Sequence, residues 1–455
     1  MGGRSGRPHR EIARGTGGIL AHASYTAPNI FPATTSDLLY RKIAWRILPV
    51  LFICYIVAYI DRVNVGFAKL QMMGDLKFSD SVYGFGAGIF FLGYFLLEVP
   101  SNIILHKVGA RVWICRVLIT WGIVSACTAL VRTPWQFYTV RFLLGIAESG
   151  FFPGMILYLT YWFPSHRRAR MVAILMAGFP VSGIVGSPIS GYILRALAHS
   201  HGIAGWQWLF VLEAVPAIIL GALIPFSLDD RVTNAKWLTA EERAIVAADI
   251  DEESAAKTHH TTLSVFTSPK VWLLGIIYFG IEMGSYAVGF WMPTIIRQSG
   301  VRNEFNIGLL SVAPYGLALI AMILFGRHSD KTRERRWHVV VPNVLAAIGF
   351  ILCTQAGSNT TIAMVGLTLA VVGVVTTLPM FWALPTSFLG GGAAAAGIAL
   401  VNCTGNLGGF FSPAIIGFLK TETGTLNSGL FLVCGCMLAS SALILALIPA
   451  KLVNR

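Results

Sequence analysis

Charge is scarce in this chain. Only 12% of its 455 residues are Asp, Glu, Lys or Arg, about half the roughly 25% of ordinary soluble domains. A water-soluble globule of this length is therefore excluded, and with it the common soluble enzymes. Acids are the rarer sign, 21 against 34 basic residues, for a net charge of +13. Cysteine is also sparse: the seven (54, 115, 127, 353, 403, 434 and 436) all fall in apolar segments. An odd count with no metal-ligand spacing to histidine predicts neither a disulfide framework nor a metal site, and these residues read as small packing groups. No G-x-x-x-x-G-K-[ST] phosphate loop occurs. The stretch "LGGGAAAAG" (Leu389–Gly397) lacks the lysine and reads as a tight turn between helices. With no catalytic triad or ligand cluster either, no enzymatic activity and no cofactor are expected. Residues 1–39 hold no long apolar run, so no cleavable signal peptide is expected, only a flexible cytosolic tail.

What is abundant is apolar length. The chain is 55% hydrophobic, and segments of about 20 apolar residues, enough to span a bilayer as helix, recur along it. Twelve are read, centred near residues 56, 93, 121, 146, 183, 216, 283, 316, 346, 372, 407 and 438. The expected fold class is an all-α integral membrane protein. With both termini placed in the cytoplasm, 25 Lys and Arg residues fall on the inner side and 7 on the outer, with Arg62 and Arg141 inside spans. That is the positive-inside pattern. The basic balance is a topology signal, so the expected partner is the lipid bilayer and not nucleic acid.

The spans group as six, a polar stretch, and six. Expected boundaries are a cytosolic tail (1–40), a first half (41–226), a cytosolic linker (227–269), a second half (270–449) and a cytosolic C-terminus (450–455). Within the linker, "LTAEERAIVAADID" has a threonine cap followed by acids, which predicts a surface helix from about Ala240. His259 and His260 there read as facing water. The loops after the second and eighth spans echo each other as "NIILHKVGAR" and "GRHSDKTRERR". Lys107 and Arg111 in the first, and Asp330, Arg335 and Arg336 in the second, are the expected gating-loop residues. Two six-helix halves with matching loops suggest an internal repeat, the architecture of secondary transporters.

Read together, "IDRVNVGFA", "YFLLEVPSNIILHKVGARVWI", "RFLLGIAESGFFPGMILYLTYWFP", "GRHSDKTRERR" and "VNCTGNLGGFFSPAIIGFLK" resemble the major facilitator superfamily, specifically its anion:cation symporter family, over roughly residues 40–450. Within that family the chain is similar to bacterial uptake systems for hydroxyphenylacetate, tartrate and phthalate. The resemblance implies the twelve-helix major facilitator fold, location in the inner membrane, and a monomer. One departure is His106, which stands where the superfamily carries an aspartate.

The buried ionisable residues carry the chemistry. A charge at mid-bilayer costs at least ~2.5–3.5 kcal/mol, so each needs a reason. Asp61, Arg62 and Asn64 crowd one helical turn. Adjacent side chains diverge by about 100°, so Asp61 and Arg62 need separate partners, while Asp61 and Asn64 share a face. Arg141 and Glu148, seven residues apart, share a face about two turns long; a locked Arg141–Glu148 pair is the bland alternative there. The resemblance implies that Asp61 and Glu148 couple protons, that Arg62 binds the substrate anion, and that Arg141 is the partner arginine. Glu98 and Glu213 read first as satisfied helix-packing contacts; the functional role open to Glu98 is a gate ion pair with Lys107 and Arg111, and Glu213 has none assigned. Tyr278, Glu282 and Tyr286 form one stripe, with Glu282 a candidate for substrate choice. Asn402 and Asn406 share a face; Asn402 matches a family position that contacts substrate, and the alternative is interhelical hydrogen bonding. Tyr59, Tyr94 and Trp382 are further candidates, although aromatics at these depths commonly pack.

The expected function is proton-coupled uptake of a small organic carboxylate: an aromatic acid, a tartrate-like acid or a sugar acid. Proton-antiport efflux is the first alternative. "GIVGSPISGY" (Gly183–Tyr192) resembles the antiporter motif of helix five only in part, lacking its Gly-Pro and Gly-Gly pairs. A non-transporting membrane sensor is the second alternative, and it offers no reason for so many buried charges.

Overall fold

A computed structural model describes residues 35–198, 200–255, 267–388 and 392–454, and among these every regular element is a helix. Eleven helices are long and apolar enough to cross a bilayer: α1 (Ser36–Leu76), α2 (Asp80–Val108), α3 (Ala110–Leu130), α4 (Pro134–Thr160), α5 (Ser165–Ala196), α6 (Gly205–Ser227), α7 (Pro269–Gln298), α8 (Glu304–Thr332), α9 (Arg336–Gln355), α10 (Thr360–Pro385) and, last in the chain, α12 (Asn427–Leu447). Between α10 and α12 lies α11 (Gly392–Thr423), 32 residues long and packed along α2 and α7. The turn read at Leu389–Gly397 is corrected in part. Residues 389–391 lie outside the described residues, but Gly392 onward is already helix, as an alanine run favours.

Packing expresses the repeat. The two sixes meet through α2 with α11, α5 with α8, and α1 with α7. Exchanging one half for the other maps α2–α11 onto α8–α5 and α1 onto α7, the signature of a two-fold-related pair. Glycines permit this close approach. A Cβ on Gly84 (α2) would sit 2.2 Å from the Pro413 carbonyl oxygen of α11, and one on Gly308 (α8) would sit 2.2 Å from the Ser187 carbonyl oxygen of α5. Gly84→Val therefore wedges the halves apart, because backbone cannot yield as a side-chain tip does. The expected result is lower disulfide yield between Ser81→Cys and Thr421→Cys, whose parent residues are joined by a 2.9 Å hydrogen bond from the Ser81 N–H to the Thr421 hydroxyl. An unchanged yield would show that the seam tolerates the side chain.

The face carrying the α1–α2 turn is sealed across the halves by charge. Asp80 (α2) pairs with Lys69 (α1) at 2.7 Å and with Lys420 (α11) at 3.0 Å. Lys69 also lies 3.5 Å above the Trp291 ring of α7, and Arg297 (α7) donates to the Leu70 carbonyl of α1 at 2.6 Å. Lys69, one of the seven basic residues assigned from sequence to the outer side, is 5% exposed and belongs to this seal.

The opposite face carries the linker. Its helix, Ala240–Ala255, begins where the Thr239 cap predicts: the Glu242 N–H donates to the Thr239 hydroxyl at 3.1 Å, and the Thr239 N–H donates to the Glu242 carboxylate at 2.9 Å. Lys42, bonded to it, and the Thr239 N–H hold the half-buried Glu242 carboxyl below its usual range. The linker is docked onto the first half. Tyr40 donates to Asp249 at 2.7 Å, and Trp162 stacks on Trp237. His259 and His260 lie outside the described residues.

The two echoing loops close differently. In the second, Asp330 pairs with Arg335 at 2.7 Å, and the Arg336 guanidinium donates to the Leu445 carbonyl. In the first, the linker's Asp230 supplies the acid that His106 does not. It accepts the Arg111 N–H at 2.8 Å and stands 3.8 Å from the Arg111 guanidinium. Gly109, at φ +94°, leaves room for it, since a Cβ there would lie 2.7 Å from the Asp230 carboxylate. His106 instead meets the Tyr161 hydroxyl at 2.7 Å, and Lys107 is exposed.

Candidate functional site

A central cavity lies between the halves, placed where a small ligand would sit in a two-half transporter. Arg62 and the rings of Tyr59 and Tyr94 enter from the first half. Glu282, Tyr278, Tyr286, Trp382, Asn402 and Asn406 enter from the second. Every residue expected above to bind substrate lines this one space. The aromatic candidates do both jobs, since they pack against each other and wall the cavity: Tyr278 stacks on Phe381 with centroids 4.7 Å apart and meets Trp382 edge-on at 5.0 Å.

Arg62 is the focus. It is 9% exposed, forms an ion pair with Glu148 of α4, and has its guanidinium carbon 5.2–5.5 Å from the rings of Tyr59, Phe90 and Tyr94. Its Nε and the Glu148 Oε2 have no hydrogen-bond partner. The pair is thus buried and only half satisfied. The backbone explains where Glu148 sits. The first segment of α4 ends at Glu148, and Gly150, at φ +75°, restarts it as Phe151–Thr160. A carboxylate at a helix C-terminus faces the negative end of the helix dipole, so Arg62 is its main compensation. "AESG" carries this break, and broken helices at mid-depth mark binding sites in transporters.

The locked Arg141–Glu148 pair does not form. Arg141, fully buried, points to the Gly86 and Ala87 carbonyls of α2 at 3.4 and 3.5 Å and lies 5.0 Å from the Phe90 ring. Sharing a helix face brings two residues to one side of a helix but does not choose their partners. Here the neighbouring α1 offers a guanidinium to Glu148, while α2 offers carbonyls to Arg141.

Asp61 and Arg62 part company as the helix geometry requires. Asp61 turns away from the cavity towards α3, where it accepts the Trp121 indole N–H at 2.7 Å and the Ser125 hydroxyl; Asn64 donates to it at 3.4 Å. Glu98 requires a correction. It does not pair with Lys107 or Arg111 but accepts the Asn402 amide at 3.0 Å and the Cys403 thiol at 3.6 Å across the α2–α11 seam. Nine residues of helix separate Glu98 from Lys107, about 13.5 Å of rise, which is out of side-chain reach. Trp121, Ser125 and the seal built on Lys69 were not singled out from sequence. The available signal was a lysine in the apolar run "GFAKLQMM".

Residues 51–413 match the Major Facilitator Superfamily. The chain belongs to that superfamily. It is 47% identical over 419 residues to NicT of Pseudomonas putida, whose name assigns it to metabolite transport, covering 92% of this chain and 96% of that one. A protein of Agrobacterium vitis named as a tartrate transporter is 50% identical over 412 residues, covering 90% and 94%. Among solved structures, the xylose transporter XylE of E. coli in a partially occluded inward-open conformation superposes with a TM-score of 0.70 at 12% identity, covering 89% of this chain and 99% of that one. As a major facilitator the protein is a multi-pass membrane transporter of small molecules and not an enzyme.

Proposed function

We propose that this transporter takes up a small organic carboxylate together with protons, by rocking its halves about the central cavity. In this reading it sits in the inner membrane as a monomer with both termini in the cytoplasm, as its basic residues favour. The single observation that carries the proposal is the Arg62–Glu148 pair at the cavity wall. One guanidinium faces two claimants, the Glu148 carboxylate and an incoming anion. Protonating Glu148 withdraws the first and leaves Arg62 to the second, so proton and anion load together. Without the proton, separating the buried pair costs about 3–5 kcal/mol, so unprotonated loading is suppressed by roughly two to three and a half orders of magnitude.

The other residues take subordinate roles. Asp61, behind Arg62, is a second proton carrier. Arg141 supplies positive potential to the same helix pair. Asn402, Tyr59, Tyr94 and Trp382 orient the organic part of the cargo, and Glu282 on the far wall selects cargo carrying a hydrogen-bond donor. The relatives' names support transport of a small organic molecule, and one of them names an acid.

Reconstitution in liposomes tests the proposal. A panel of labelled aromatic acids, hydroxy-diacids and sugar acids is offered with and without an inwardly directed proton gradient. The expected result is accumulation of one acid that collapses when a protonophore is added. Uptake indifferent to the gradient points to facilitated diffusion. Movement only outward against the gradient points to efflux and overturns the proposal.

A further inference from the structure

One buried acid remains without a part in the coupling mechanism. Glu213 on α6 is 5% exposed and does not line the cavity. Its Oε1 accepts the Ser190 hydroxyl of α5 at 2.6 Å, whereas its Oε2 is buried with no hydrogen-bond partner among the described residues. From α1 the Asn64 amide donates to Asp61 at 3.4 Å, on the side of α1 that Glu213 approaches from α6. The charged group facing Glu213 is Asp61, which has the same sign. Arg141 of α4 acts on Asp61 through its charge, while its guanidinium is turned to the carbonyls of α2.

Two like charges at this depth, with no cation bonded to either, cannot both persist. Donor supply decides which is neutral. Asp61 receives Trp121, Ser125 and Asn64, and donors of this kind stabilise an anion. Glu213 receives one hydroxyl and keeps a bare oxygen. A proton on that oxygen turns an unsatisfied acceptor into a donor. The Asn64 Oδ1 is likewise buried without a hydrogen-bond partner among the described residues. We infer that Glu213 is a further proton-binding site, sharing one proton with Asp61 and holding it in this conformation. When the proton shifts, the O–H bond at Glu213 breaks as one forms at Asp61, and the pair keeps a net charge of −1. The two groups then titrate as a unit. Their side of α1 faces α3 and α6, opposite the cavity wall, so this site holds its proton without touching the cargo.

The inference rests on the proton-coupled reading for its role in transport, but its first test does not. Infrared spectra of the reconstituted protein at neutral pH should contain a protonated-carboxyl C=O band that Glu213→Gln removes. If that variant does not fold, Glu213→Asp should shift the band. A band unchanged by either substitution means that Glu213 is ionised and overturns the inference, whatever transport shows. In the transport arm, Glu213→Gln should lower the accumulation ratio at a fixed proton gradient while leaving exchange of labelled for unlabelled cargo within about twofold of wild type. An unchanged ratio assigns Glu213 a packing role and overturns its part in coupling. Loss of the band in a protein that never accumulates cargo would instead uphold the proton site and reject symport.

Discussion

Arg62→Gln should reduce the initial rate of acid uptake by more than about 100-fold. Glutamine keeps part of the side chain's reach but loses the charge and the fork of donors that grips a carboxylate. Two losses act together. The anion meets no cation in the cavity wall, and Glu148 is left buried beside the negative end of its own helix segment with its partner gone. Arg62→Lys separates the two effects. A lysine can still neutralise Glu148, so the protein should insert and fold, yet a point charge cannot hold the acid in two-point geometry, and a drop of about 10- to 100-fold is expected. Rates in proteoliposomes, normalised to inserted protein and compared with elution profiles in detergent, read both outcomes. An Arg62→Gln protein that folds and retains more than about a tenth of wild-type uptake would remove Arg62 from the binding role, and the proposed exchange of partners would go with it.

Glu148→Gln should abolish accumulation while sparing exchange. The amide imitates the protonated acid, so Arg62 is permanently free for cargo and binding no longer depends on pH. With a gradient of one pH unit, each coupled proton can support roughly tenfold accumulation, since 1.4 kcal/mol is a factor of ten. The variant should bring the inside-to-outside ratio to about one, yet still swap labelled for unlabelled acid across the membrane. Accumulation that survives would mean that another group carries the coupling proton, and Asp61→Asn becomes the next variant to test. Loss of exchange together with accumulation would show that Glu148 is needed to complete the cycle, and so is more than a competitor for Arg62.

The buried charges show what one chain of letters conveys. Placing ionisable residues in apolar runs was enough to single out Asp61, Arg62, Arg141 and Glu148, because lipid makes every such residue costly and no alignment is needed to see the cost. The same logic located Glu98 and Glu213 but mistook the partner of the first and assigned no part to the second. The charges nearest Glu98 in sequence are not its partners, since Asn402 and Cys403 come from more than 300 residues away. Lys69 failed in the opposite way. A lysine near a helix end reads as a loop residue, and only the approach of Trp291 from the other half shows it to be buried.

Apolar run length, charge asymmetry and the echo between two loops determined the membrane class, the helical composition and the twofold plan before any coordinates, since each follows from local chemistry against a bilayer. The tertiary structure decided the pairings. It matched Arg62 with Glu148 and not Arg141 with Glu148, turned Asp61 to α3 and away from the cavity, and gave the linker's Asp230 the place that His106 leaves empty. Helix periodicity states which residues share a face, but the partner of a buried charge is chosen by whichever other helix brings a complementary group within about 3 Å, and that is settled only when all twelve helices pack at once.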